Sequence, residues 1–167
     1  LLPLELAQYS DEDMEGLFIY KYRTRKLQNF RYKNQFSYEF QVEEDCLQYY
    51  CNKITLQPII ENAIYHGLDR MVDEGRILIR IYSEGEDVVF RVEDNGVGMS
   101  EEQCRSILHK EPGDNSGIGI KNVNDRIKIY FGKEYGLSIE SELDEGTTVI
   151  IRMPKVEENA AAGWEKV

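Results

Sequence analysis

With 167 residues, 41% of them hydrophobic and 31% charged, the chain is long enough to enclose one core and has the balance of an ordinary globular domain. Its net charge of −11 opposes long-range attraction to nucleic acid or anionic lipid. No apolar run approaches the roughly 18 residues that a membrane helix needs.

Residues 1–6 include Glu5 and lack a basic flank, so they do not read as a secretory leader. The absent initiator methionine predicts a piece of a longer protein. Residues 5–30, rich in Glu, Lys, Arg, Leu and Tyr, predict a helix or broken helical segment. Residues 36–42 (FSYEFQV) alternate and predict a strand, and residues 53–68 predict a helix with Pro58 near its first turn. Residues 76–82 and 87–93 read as a hairpin around residues 83–86. Ser100 and the two Glu after it open a short capped helix over 100–108. A loop over 109–116 leads to an amphipathic helix over 118–131, then to strands 137–143 and 147–153 around residues 144–146. From Lys155 the charged, Ala-rich tail is expected to fray. Cys46, Cys51 and Cys104 make no metal-ligand spacing and read as small, reduced, buried or half-buried thiols.

Helices and hairpins are mixed rather than strictly alternating. That order predicts a two-layer α/β (α+β) sandwich with a mixed, largely antiparallel sheet and helices on one face. The repeated βαβ units of a dinucleotide-binding sheet are missing.

The chemistry is carried by glycine pairs at strand and helix ends. One is Asp94-Asn95-Gly96-Val97-Gly98 at the end of a strand; the other, Gly117-Ile118-Gly119, opens a helix. Neither completes G-x-G-x-x-G, and no P-loop is present. Alone, each pair reads more readily as turn glycines. A helix N-terminus, however, presents unpaired N–H groups and partial positive charge to phosphates. Asp94 ends an apolar strand, and a buried carboxylate there needs a donor, which a purine's exocyclic amine would supply. On the helix over 53–68, Leu56, Ile59, Ile60, Ala63, Ile64 and Gly67 form a core stripe, while Asn62 and His66 share another face. An amide oxygen suits a magnesium ion that keeps waters and phosphates. Taken singly, Asn62 is more often a surface or capping amide and His66 more often a hydrogen-bonded half-buried histidine.

The order NAIYHG, DNGVGM, GIGIKNVNDRI, GTTV resembles the N, G1 and G2 boxes and final threonine motif of the Bergerat (GHKL, HATPase_c) ATP-binding fold. LQPIIENAIYHG and NVNDRIKIYFG resemble sensor histidine kinases of the LytS/YesM type, over about residues 25–154. The resemblance implies ATP and Mg2+ as ligands. It implies that Asn62 coordinates the magnesium, that His66 faces the phosphates, and that both belong to the catalytic centre. Asp94 would accept the adenine amine, with Gly96 and Gly98 making room for the base. Gly117, Ile118 and Gly119 would bring backbone amides to the phosphates, and Thr147 would bond near the adenine. Residues 99–116 would form a lid. Tyr65 stands where many such kinases have Lys, so that charge is either missing or supplied by Lys110, Lys121 or Arg126; for Arg126 a surface salt bridge is an equal alternative.

The resemblance further implies that residues 1–30 end an upstream helical dimerisation and phosphoacceptor segment, that 31–155 are the ATP-binding catalytic domain, and that 156–167 are a flexible tail. The γ-phosphate would pass to a histidine on the absent upstream helix and then to a response regulator. The parent would be a homodimeric, membrane-bound bacterial sensor kinase with this domain in the cytoplasm, and nucleic acid would not be a partner. Hydrolytic members carry a Glu four residues before the magnesium Asn; Pro58 stands there, and Glu61 points about 100° away. Slow hydrolysis is therefore expected, and binding of ATP without self-labelling. The alternatives are a GHKL ATPase module and an anti-sigma-factor serine kinase.

Overall fold

The computed structural model describes residues 2–3, 36–51, 55–64, 74–109 and 118–161. The expected helical segment 5–30, most of the loop over 109–116, and the last six residues lie outside them. Strand β1 (Leu2–Pro3) pairs antiparallel with β3 (Tyr50–Cys51), a small ladder too short for any periodicity to announce. β2 (Phe36–Val42) begins the main sheet, and a 3-10 turn over Glu44–Cys46 follows it. Helix α1 (Gln57–Asn62) has Pro58 in its first turn, where a missing N–H costs nothing. β4 (Gly75–Glu84) and β5 (Asp87–Asp94) form the expected hairpin.

Helix α2 (Glu101–His109) is closed by a reciprocal cap. Ser100 Oγ accepts from Gln103 N (3.3 Å), and Gln103 Oε1 accepts from Ser100 N (2.8 Å). α3 (Ile118–Phe131), β6 (Gly136–Glu142) and β7 (Gly146–Pro154) follow within a residue or so of expectation. The tail leaves from an anchored end. Lys155 N donates to Glu86 O (2.9 Å), Val156 is buried, and a single turn, α4 (Glu158–Ala161), comes after it.

The main sheet has the order β2-β4-β5-β7-β6, and only β2 and β4 run parallel. Its register places Ile77, Ile79, Ile81, Val88, Phe90, Val92, Val149, Ile151 and Met153 on one face. These side chains join Leu56, Ile59, Ile60 and Ile64 of the α1 region and Ile120, Val123 and Ile127 of α3 in one cluster. Each such buried aliphatic side chain contributes about 1.5–3 kcal/mol. The described members of the expected α1 stripe, Leu56 to Ile64, are all buried. The opposite face is mixed: Leu78, Val89 and Ile150 lie among charged pairs, in which Arg80 and Arg91 flank Glu93 and Arg152 bridges Glu84 and Asp87. The result is the two-layer mixed sandwich with helices on one side.

Cys46, Cys51 and Cys104 are free thiols, and burial pushes Cys51 up to about 12, so it is inert at neutral pH.

Candidate nucleotide site

At one end of the sheet the core face turns polar. The register puts Ile77, Asp94, Thr147 and Ser141 side by side across β4, β5, β7 and β6. Period-two alternation carries the inward parity of Val92, Val149 and Ile139 onto Asp94, Thr147 and Ser141. Burial raises the Asp94 carboxyl to about 6, while backbone amides of Gly96 and Thr147 pull the other way by favouring the charged form. Gly96 N donates to Asp94 Oδ1 at 2.9 Å. Among the described residues, the donors to this carboxyl are main-chain amides, which leave its remaining lone pairs available. A carboxylate so placed is a strong acceptor for an N–H of a buried ligand.

Two loops interlock beneath the carboxyl. Gly98 has φ +65°, and a Cβ there would overlap the Glu142 carbonyl. Gly146 has φ +112°, and a Cβ there would overlap the Asp94 carbonyl. Asp144 N donates to Val97 O at 2.8 Å. The glycines of both motifs therefore let the β6–β7 turn and the loop after β5 touch main chain to main chain. Asn95 ties the same loop to the start of β4, accepting from Arg76 N (2.6 Å) and donating to Glu74 O (3.2 Å).

The helical side of the site is set by a second close approach. A Cβ on Gly119 would stand 3.1 Å from Pro58 Cβ, so the first turn of α3 lies against the first turn of α1. Asn62 is one helical turn beyond Pro58, on the same side of α1, and is half-buried. It therefore faces the α3 side. Ile118 is the first residue of α3, so the glycine motif does open a helix. Asn124 holds α3 in place: its Oδ1 accepts from Leu137 N at 2.9 Å, and it is 4% exposed. Glu61 is engaged by Gln57 Nε2 at 3.0 Å. Lys121 pairs with Asp125, and Arg126 is exposed. His66, Gly117, Tyr65 and Lys110 lie outside the described residues.

Sequence reasoning passed over Ser141 and Asn124. Each left a signal. Ser141 is polar at an inward position of β6, after Leu137 and Ile139, and Asn124 is polar on the buried face of α3 beside Ile120, Val123 and Ile127. A polar residue breaking an apolar period is a candidate for a specific bond.

Fold and site together define a two-layer α/β sandwich whose core face ends in a polar row. Residues 51–157 match the family described as histidine kinase-, DNA gyrase B-, and HSP90-like ATPase, and the chain belongs to that family. It is 34% identical over 128 residues to sensor histidine kinase YesM of Bacillus subtilis, covering 77% of this chain and 21% of that protein. Sensor histidine kinase BtsS of Escherichia coli K12 is 30% identical over 129 residues, with the same coverage. Sensor protein LytS of Bacillus cereus is 30% identical over 131 residues, 77% of this chain and 22% of its own. The chain thus spans about a fifth of the length of these relatives. Among solved structures, the catalytic domain of histidine kinase ThkA superposes with a TM-score of 0.60 at 14% identity, covering 93% of this chain and 96% of that one. A blue-light activated histidine kinase domain from Erythrobacter litoralis superposes at 0.55 and 14% identity, covering 92% and 68%.

Proposed function

We propose that this chain is the catalytic ATP-binding domain of a two-component sensor histidine kinase. It would deliver the γ-phosphate of ATP to a histidine of an upstream helical segment, for relay to a response regulator. The observation that carries this reading is the inward-facing Asp94 carboxyl at the end of β5, whose described donors are main-chain amides. It is matched to the exocyclic amine of adenine. Thr147, adjacent in the same row, completes the polar wall of that subsite. Gly96 and Gly98 are read as making room for the base, in a loop where Gly96 N–H holds the Asp94 carboxyl and Gly98 lets the β6–β7 turn approach. Gly117, Ile118 and Gly119 present the start of α3 to the phosphates, where unpaired N–H groups favour anions. Asn62 is read as belonging to the phosphate side, and His66 is assigned there from the motif alone.

Asn62 fits a magnesium ion that travels with the nucleotide. It offers one neutral oxygen from a half-buried position on the α3 side of α1. Among the described residues no cluster of His, Cys, Asp or Glu could hold a metal alone, which suits an ion held chiefly by phosphates and water. Bound there, magnesium would neutralise charge on the triphosphate. The residues of the chain do the positioning, which is most of what phosphoryl transfer asks of a protein.

Pro58 sits where a hydrolytic relative would carry a general base, so transfer rather than hydrolysis is the expected chemistry. Residues 1–30 are read as the end of the dimerisation and phosphoacceptor segment. The parent is read as a homodimer held at the membrane with this domain in the cytoplasm. No described helix is long and apolar enough to cross a membrane. The test is incubation of the parent protein, and separately this chain, with magnesium and ATP labelled on the γ-phosphate. Acid-labile, alkali-stable label on the parent and none on this chain is expected. Rapid release of free phosphate with no protein label would refute the kinase reading.

A further inference from the structure

Ser141 makes three polar contacts with one hydroxyl. Its Oγ lies 2.8 Å from Met99 N, 2.8 Å from Gly146 O and 2.8 Å from Thr147 Oγ1. A serine hydroxyl has one proton and two lone pairs. Met99 N–H can only donate, so it occupies one lone pair. Gly146 O can only accept, so it takes the single proton. The contact with Thr147 is then a hydrogen bond only if Thr147 donates its own proton to the second lone pair of Ser141. Any other assignment sets two oxygens against each other at 2.8 Å with no proton between them.

The consequence falls on the neighbouring row. With its proton committed to Ser141, Thr147 Oγ1 has only lone pairs left for a ligand. Beside it on β5, Asp94 likewise has only lone pairs when ionised. Adjacent positions on neighbouring strands stand about 4.5–5.5 Å apart at Cβ, close enough for one small group to meet both. Two acceptors side by side match a group with two N–H donors, and they repel a carbonyl oxygen.

We propose that Ser141 sets the polarity of the Thr147 hydroxyl, holding it as an acceptor, and so makes the site select a 6-amino purine nucleotide over a 6-oxo one. This rests on the adenine-binding reading above. Ser141 is a positioning residue: it acts through Thr147 and need not touch the base.

The test compares binding of ATP and of inosine triphosphate, which carries a 6-oxo group and no 2-amino group, by titration calorimetry with magnesium. The intact chain is used at pH 8, where Asp94 is ionised. The wild type should prefer ATP. Ser141→Ala frees the Thr147 proton to turn toward a 6-oxo group, so the ATP-to-inosine preference should fall about five- to tenfold. Ser141→Thr keeps the hydroxyl and should retain the preference. In a Thr147→Val background, Ser141→Ala should no longer change the ratio, since the group it acts through is gone.

Equal weakening of both nucleotides by Ser141→Ala would make the residue merely structural and overturn the proposal. So would an unchanged ratio. If Ser141→Ala fails to fold, Thr147→Val alone decides: Asp94 keeps part of the preference, and a preference undiminished without the threonine hydroxyl overturns the proposal. If the wild type binds neither nucleotide, the adenine-binding reading fails and takes this inference with it. Tight ATP binding with an unmoved ratio would sink the inference alone.

Discussion

The two hairpins of the sheet look alike in sequence and differ in what their glycines do. Gly85, between β4 and β5, has φ +61°, and a Cβ there would meet nothing within 4 Å. Its glycine answers to the turn alone, where a positive φ lets two residues reverse the chain. Gly146, between β6 and β7, has φ +112°, and a Cβ there would run into the Asp94 carbonyl. Its glycine answers to a loop from another hairpin. The first turn closes a ladder of which the outer face is pinned by Arg152 to Glu84 and Asp87. The second turn packs under the loop that carries Asp94, the proposed nucleotide site. A turn glycine is thus a local device or a tertiary one depending on what faces its missing side chain.

Substitution separates the two. Gly146→Ala should be the most damaging change, because strained backbone and a main-chain collision act together. It should lower unfolding free energy by more than about 3 kcal/mol in urea titration and abolish ATP binding. A loss under about 1 kcal/mol would mean that the loops part easily and are not interlocked.

Asp94→Asn probes the site that the second turn supports, and two readouts should move in opposite directions. Its carboxyl is raised from 3.8 to about 6 by burial, so the fold favours the neutral form. That stabilising preference is fully present below pH 3.8 and is lost as pH rises through about 6. At pH 7.5 the ionised group therefore burdens the nucleotide-free fold by roughly 3 kcal/mol at most. Asp94→Asn should stabilise the free domain by about 2 kcal/mol at pH 7.5, with the gain shrinking between pH 6 and pH 4. ATP affinity should fall about 10- to 100-fold, since a hydrogen bond to a charged acceptor is lost. Thermal melts across pH, paired with calorimetric titration, check both. A variant less stable than wild type at pH 7.5 would contradict the burial account.

Gly85→Ala should have the smallest effect. The positive φ costs an alanine about 1 kcal/mol, with no collision and no change in ATP affinity. A loss of binding would show that the first hairpin is coupled to the site after all.

Much of this was legible along the chain. The apolar stripe from Leu56 to Ile64, the alternation of β4 and β7, and the cap at Ser100 are local periodicities or short-range bonds. Asp94 stood out because a carboxylate ended an apolar strand. The role of Gly98 was harder to read, because the Glu142 carbonyl that forbids a side chain there lies 44 residues further along. Asn124 was missed for a similar reason, since the Leu137 amide it satisfies belongs to the next strand.

By itself, then, the sequence determined most of the helices and strands among the described residues and which face of each is apolar, and it singled out the four motifs from which the nucleotide chemistry is proposed. Those are properties of nearest neighbours and of periods 3.6 and 2. Only the tertiary structure decided that Asp94, Thr147 and Ser141 share one row, and that Gly98 and Gly146 each make room for the other's hairpin. It also decided that Gly119 rests on Pro58. Register and backbone contact depend on how strands distant in sequence are aligned, and a shift of one residue would turn the whole row to the outer face.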